Sequence, residues 1–291
     1  MADAAKKVFL NYTQEELDRA YDQRNWAPNA EQLIALSPVK SAETRKRLKF
    51  TTHSYGSSAH EKLDVFSANS TNAPVMIFIH GGGWRQGLKE DYSFVADSFA
   101  PAGVHTVVLN FANIPDARIP EMADQIRRGI VWTHNNAKSF GGDPGRLYVM
   151  GHSSGGHLCS VILTTDWTQY GLPKRIFRSG LVGSGMYDLE APMLSARSQY
   201  AQVTKEEQDA LSAMRHLDRV TCPIVIAYGD KESPDFQRQG RDFAAALKKA
   251  GLAHELHVGP NLNHFEVMHS VSDNGFFGRL AMKMVGATVP A

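Results

Sequence analysis

Cysteine is nearly absent. Cys159 and Cys222 are the only two in 291 residues. Each sits in an apolar segment, and together they show no metal-ligand spacing. That is too little for a disulfide framework, and both read as buried thiols of a reduced compartment. An excess of one charge is missing too. Lys and Arg number 31 against 30 Asp and Glu, a formal net charge of +1, which gives neither nucleic acid nor an anionic membrane a reason to bind. No apolar run approaches the about 18 residues of a membrane span, and Met1 to Lys7 lacks the apolar stretch of a signal peptide. A cytoplasmic location is therefore expected. Internal repeats and low-complexity tracts are absent as well. What remains, 43% hydrophobic and 21% charged, suffices for one large α/β domain with a thick core.

The chain is organised around Gly151-His152-Ser153-Ser154-Gly155. These follow the buried-looking run Leu147-Tyr148-Val149-Met150 and precede a helix predicted to start near Gly156, carrying Leu158, Val161 and Ile162. A Ser between two glycines at a strand-to-helix turn is the pattern of a nucleophile elbow. The turn is so sharp that neighbouring side chains would collide, hence Gly151 and Gly155. The helix N-terminus would aim N–H groups at the same spot. A plain Gly/Ser-rich turn is the alternative.

Around that centre the chain reads as strands alternating with helices. Thr13-Gln14-Glu15-Glu16 fits a capping box, and Leu17, Ala20 and Tyr21 give a helical face through about Trp26, with Pro28 and Pro38 punctuating the residues after it. Residues 1–50 are expected to form a helical arm packed on the surface of the main domain, residues 51–291; a wall of a substrate pocket is the other option. Lys49 to Tyr55 and Leu63 to Phe66 suggest an edge hairpin. Val75 to Ile79, Val104 to Leu109, Leu147 to Met150, Phe177 to Val182, Pro223 to Tyr228 and His254 to Val258 suggest further strands. Helices are predicted at Asp91 to Phe99, from Ile119, at Phe236 to Ala250 and at Phe276 to Val285. The alternation predicts an α/β fold with a mostly parallel, doubly wound sheet and flanking helices. The segment Ser184 to Val220 exceeds an ordinary crossover and is expected to form a small cap over the C-terminal strand ends.

Three further stretches supply what a nucleophilic Ser needs. His80-Gly81-Gly82-Gly83-Trp84 directly follows a strand, and its glycines let the backbone approach a ligand closely. With Ser154, the N–H groups of Gly82 and Gly83 would form an oxyanion hole. His80 is expected to hold the loop through its ring, together with Gly81. A phosphate loop is the weaker reading, since the third glycine of G-x-G-x-x-G and the Lys-Ser/Thr of a P-loop are both missing. The base is expected to be His264, in a loop after the last strand. His254, His257, His269, His152 and His157 are read as ordinary core or surface histidines. The acid should follow the strand ending at Tyr228. Glu232 is favoured because the loop has room to turn towards His264. Asp230 is the second choice, and Asp235 suits the cap of the next helix.

Taken together, His80 to Trp84, Gly151 to Leu158 and Gly229 through Ser233-Pro234-Asp235-Phe236-Gln237-Arg238-Gln239 resemble α/β-hydrolases of the kynurenine formamidase-like group, close to small bacterial carboxylesterases. With Asn263-His264-Phe265 the resemblance spans roughly residues 60–270. It implies the α/β-hydrolase fold with a Ser-His-acid triad, the acid standing just before Ser233-Pro234, which is Glu232 here. Relatives often carry Asp there. The function expected is a serine carboxylesterase for small acyl esters. An arylformamidase cleaving N-formyl-L-kynurenine is the alternative, and a non-catalytic binding protein on the same fold a distant third. Neither metal nor organic cofactor is required. The partner is a small-molecule ester or formamide, with a homodimer as one option for assembly. Trp84, Tyr187 and Tyr200 would suit an aromatic substrate, Trp84 as a direct contact, or else simply pack in the core.

Overall fold

Residues 75–79 read Val-Met-Ile-Phe-Ile, and in the computed structural model all five are fully buried. The two-residue period of a strand explains why. Val75, Ile77 and Ile79 enter one hydrophobic core, and Met76 and Phe78 enter a second on the opposite face. Such a strand needs helices on both sides. The structure describes residues 6–272 and 275–287; the first five residues of the stretch read for a signal peptide, and residues 288–291, lie outside them.

A short ribbon of β1 (Lys7–Phe9) and β2 (Tyr12–Thr13) leads into α1 (Gln14–Ala20) and α2 (Ala30–Arg47). Then come β3 (Phe50–Ser54), β4 (Lys62–Phe66), β5 (Ala73–Ile79), the short α3 (Ala96–Phe99), β6 (His105–Leu109) and α4 (Ile119–Asn136). They are followed by β7 (Gly142–His152), α5 (Ser154–Leu163) and β8 (Phe177–Gly183). Three small helices, α6 (Glu190–Leu194), α7 (Ser198–Ala201) and α8 (Lys205–Ala210), precede β9 (Ile224–Gly229). The described chain closes with α9 (Pro234–Lys249), β10 (His254–Gly259), α10 (His264–His269) and α11 (Phe276–Val285).

Eight strands form one sheet in the order β10-β9-β8-β7-β5-β6-β4-β3. From β10 to β6 all neighbours run parallel, while β4 and β3 add an antiparallel edge hairpin. The sheet is thus mostly parallel and doubly wound, as the alternation predicts. After β5 the chain moves to β6 on one side and then returns to β7 on the other. The order reverses there, so a crevice opens at the C-terminal ends of β5 and β7, where open α/β sheets bind ligands.

Two expectations for the first fifty residues are corrected. The capping box at Thr13 is present, with Glu16 reaching back to the Thr13 N–H, but α1 ends at Ala20 and a 3₁₀ turn, Gln23–Trp26, follows it. Pro38 does not break the chain; it lies inside the 18-residue α2. A proline removes one helical hydrogen bond, here the one to the Ile34 carbonyl, and α2 is tied to α10 close to that point. The Leu33 carbonyl, five residues before the proline, accepts from His269 Nε2 at 2.8 Å, and Ser37 Oγ lies 3.1 Å from the same nitrogen. The buried positions of α2 are Ala30, Ser37, Ser41 and Thr44. Its buried face is small and polar, so no apolar periodicity announces it. The predicted helix at Asp91 to Phe99 is a 3₁₀ turn, Lys89–Val95, running into α3.

Candidate active site

Between the last residue of β7 and the first of α5 stands one residue, Ser153. Its backbone has φ 60° and ψ −126°, a conformation that costs a non-glycine residue of order 1–3 kcal/mol. The surroundings hold it there. Ser153 N–H donates to the Gly183 carbonyl at 2.9 Å, and α5 begins immediately. The flanking glycines are required by close backbone approach. A Cβ on Gly155 would stand 2.2 Å from the Ile79 oxygen and 2.4 Å from the His80 oxygen, and one on Gly151 would stand 2.2 Å from the Gly155 oxygen. The elbow is therefore wedged against the end of β5, and α5 starts at Ser154, two residues before the predicted start.

The elbow meets His264. His264 Nε2 is 2.9 Å from Ser153 Oγ, and Nδ1 is 2.8 Å from Glu232 Oε2. His264 opens α10, and Asn263 caps that helix by accepting from the N–H groups of Phe265 and Glu266. Thus the Asn263-His264-Phe265 stretch fixes the ring at a helix start, with Phe236 and Phe265 edge-on to it at 5.2 and 5.4 Å. Glu232 is buried, and its other oxygen accepts from Gly229 N–H at 2.7 Å and Ser184 Oγ–H at 2.6 Å. Asp230, the second choice for the acid, is exposed and makes no such contact. Asp235 is buried in α9, bonded to Tyr21 Oη and Arg238; the cap of α9 is Ser233, which accepts from Phe236 N–H, so the capping role expected for Asp235 belongs to Ser233.

The glycine loop lies beside the elbow. Gly82 and Gly83 have φ of +122° and +64°, open at low cost only to glycine, and both face the same cavity as Ser153. Ser154 opens α5, so its N–H is a first-turn donor without a partner inside the helix. Its Oγ accepts from Trp84 N–H at 3.3 Å, tying loop to elbow. His80 is buried between the rings of Phe111 and Tyr92 at 4.2 and 5.5 Å, and its Nδ1–H donates to the Gly81 carbonyl at 2.9 Å. Burial pushes its pKa down to about 4, so the ring is neutral and holds the loop, as its position suggests.

Trp84 is corrected. Its side chain is only 1% exposed, its Nε1–H donates to His157 Nδ1 at 3.2 Å, and its neighbours rather than its ring line the cavity. His157 completes that internal link through Nε2–H to the Leu211 carbonyl, with its pKa pushed down by burial to about 4. Tyr187 likewise stacks in the core on Phe243 at 4.4 Å. Tyr200 alone of the three aromatics reaches the cavity. His152 is buried 4.7 Å from the His264 ring, and desolvation drives its pKa well below the usual value. His254 and His257 lie in the edge strand β10, away from the site.

The cavity above Ser153 and His264 measures about 690 Å³. One wall comes from the N-terminal arm, through Tyr21, Gln23, Leu33 and Pro38, and another from Ser195 to Tyr200. So the arm is a pocket wall as well as a surface layer. It is also bolted to the acid loop: Gln23 Nε2 donates to Ser233 Oγ at 2.9 Å, and Tyr21 Oη to Asp235 at 2.5 Å. Sequence reasoning missed Ser184 as a partner of Glu232, and held the arm as a wall only as the second option beside surface packing. The Gly183-Ser184-Gly185 turn at the end of β8 was the available signal for the first. Among the described residues no cluster of His, Cys, Asp or Glu has a metal-site arrangement, and no helix is long and apolar enough to cross a membrane.

Comparison with known proteins places these features in context. The chain matches the Prolyl oligopeptidase family over residues 122–276 and BD-FAE over residues 63–175. It is 30% identical to a kynurenine formamidase of Danio rerio, over 94% of this chain and 97% of that protein. It is 26% identical to carboxylesterase NlhH of Mycobacterium tuberculosis, over 66% of each. The solved structure of esterase B from Lactobacillus rhamnosis shares the fold, with a TM-score of 0.69 at 15% identity over 91% of this chain and 94% of that one.

Proposed function

The chain belongs to the α/β-hydrolase group that contains the kynurenine formamidases, and on that premise we propose that it is a serine hydrolase of small carboxylic esters working through an acyl-enzyme. The observation that carries this is the unbroken hydrogen-bond chain Glu232–His264–Ser153 at the floor of an open cavity. With Nδ1–H donated to Glu232, His264 presents an unprotonated Nε2 to the Ser153 hydroxyl and takes its proton as Oγ attacks the carbonyl. Glu232 stabilises the imidazolium so formed. The oxyanion is received by the N–H groups of Gly82, Gly83 and Ser154, each such donor contributing roughly 3–4 kcal/mol to the transition state. His264 then protonates the leaving group, and a water activated by the same ring releases the acid.

A second reading is cleavage of the formamide bond of N-formyl-L-kynurenine, supported by the whole-length similarity to a protein named kynurenine formamidase. The steps are the same; the acyl group becomes formyl, and the leaving group changes from an alcohol to an aromatic amine. Comparing kcat/KM on p-nitrophenyl acetate and N-formyl-L-kynurenine, with Ser153→Ala as blank, separates the two. A formamide preference of several hundredfold, roughly 3–4 kcal/mol of transition-state binding, assigns the formamidase. Full activity in Ser153→Ala would refute both, and an organophosphonate that leaves Ser153 unlabelled would point to the binding-protein alternative.

A further inference from the structure

Arg197 is a cation in the cavity wall that the acyl-transfer chemistry does not use. Its Nε and Nη2 donate to the Tyr21 carbonyl at 3.0 and 2.8 Å. The guanidinium lies 5.9, 5.5 and 6.0 Å from the ring centroids of Tyr21, Trp84 and Phe236. Nη1 is buried and has no hydrogen-bond partner. Among the described residues no carboxylate pairs with this half-buried guanidinium, so it keeps a charged donor that an anion could use.

Arg197, Tyr200 and Gly83 all line the cavity. A Cβ built on Gly83 would lie 3.8 Å from Arg197 Nη1 and 3.9 Å from Tyr200 Oη, with nothing else within 4 Å outside its own chain neighbours. A second guanidinium, that of Arg85, lies over the Tyr200 ring at 4.7 Å and also lines the cavity. Three carboxylates stand in the same cavity wall, and one oxygen of each accepts a backbone N–H. Asp18 accepts from Ala196 N–H at 2.6 Å, Asp22 from Arg24 N–H at 3.1 Å and Asp91 from Leu88 N–H at 3.0 Å.

We propose that Arg197 and Tyr200, with Arg85 beside them, form a subsite for a carboxylate carried by the substrate, so that the preferred esters or formamides are anionic. Arg197 Nη1 and the Tyr200 hydroxyl supply two donors for two carboxylate oxygens next to Gly83, on the cavity wall that also holds Ser153. The catalytic consequence rests on the serine-hydrolase reading; the binding does not.

Matched substrates test it. p-Nitrophenyl hemisuccinate against p-nitrophenyl 4-methylpentanoate puts the charge on the acyl side, and 3-(4-acetoxyphenyl)propanoate against its propanamide puts it on the leaving side. The expected result is a preference for the anionic member of one pair by about tenfold or more, as for a charge-assisted hydrogen bond. Arg197→Gln should erase that preference through KM, and Tyr200→Phe, which leaves the Tyr21 contact intact, should weaken it. No charge preference in either pair, or equal losses for charged and neutral esters in Arg197→Gln, would overturn the proposal. Calorimetry of 3-phenylpropanoate binding to Ser153→Ala, with and without Arg197→Gln, gives the same answer without turnover. Equal affinities there reject the subsite, whereas weaker binding to the double variant alongside an inert native enzyme rejects only the hydrolase reading.

Discussion

Replacing Glu232 by Gln changes one atom and tests the site more sharply than removing the side chain. Gln keeps the volume and offers one oxygen and one NH2 group where Glu232 offers two acceptors. One of those positions faces the Gly229 N–H at 2.7 Å, a donor that cannot rotate away, and the Ser184 hydroxyl at 2.6 Å. The amide oxygen is therefore drawn to that side. Its NH2 then points at His264 Nδ1, which must become the acceptor, so the proton moves to Nε2, facing Ser153 Oγ at 2.9 Å. A protonated Nε2 cannot take the serine proton, and the charge that stabilised the imidazolium is gone as well. The expected fall in kcat is about 10³- to 10⁴-fold, or roughly 4–5 kcal/mol, the scale set by tautomer faults in other triads. KM should change little, since no substrate contact is removed. Asp230→Asn should alter kcat/KM by less than about twofold, as for an exposed position. The assay is p-nitrophenyl acetate hydrolysis at pH 7.5, with thermal unfolding of both variants recorded to show that they fold. The reasoning is wrong if Glu232→Gln keeps more than a tenth of the native kcat, or if Asp230→Asn is the more damaging change.

Two further outcomes concern stability. Gly155→Ala would push a methyl group against the carbonyl oxygens of Ile79 and His80 at 2.2 and 2.4 Å, so a loss of about 1–3 kcal/mol or more in urea unfolding is expected, with esterase activity falling as β5 and the elbow separate; an unchanged midpoint would show that the backbones can part freely. His80 and His157 have folded pKa values pushed down to about 4 by burial, against an ordinary value near 6.5 in the unfolded chain. Between those values the unfolded chain binds protons that the folded one refuses. Their contribution is therefore fully present above pH 6.5 and lost as the pH falls towards 4, on the order of 3 kcal/mol for each ring. Urea unfolding at pH 7.5 and 4.5 should show that decline, and equal stability at the two values would contradict it.

The α/β alternation, the elbow and its three partner stretches were legible because each depends on local rules. Val75 to Ile79 is apolar without a break because it must be buried on both faces. Gly151 and Gly155 flank Ser153 because the turn leaves no room for a Cβ. His264 was placed by its position after the last strand, although it opens α10 instead of lying in a loop. Helix α2 was hidden for an equally physical reason: its buried face is Ala30, Ser37, Ser41 and Thr44, and Pro38 looks like a break although the helix runs through it.

Sequence by itself determined which residue types could do the chemistry and in what order they occur along the chain. It narrowed the acid to Glu232 or Asp230 and left Trp84 between pocket and core. Tertiary structure sets Glu232 and not Asp230 against His264 and buries Trp84, since both outcomes turn on distance and burial between segments far apart in sequence. Glu232 reaches a ring 32 positions away, Trp84 is sealed against His157 73 positions on, and Arg197 is set in the cavity wall by a carbonyl 176 positions earlier. Periodicity and turn chemistry act over a few residues. Contacts across such spans exist only once the sheet has brought the ends of β5, β7 and β9 to one edge.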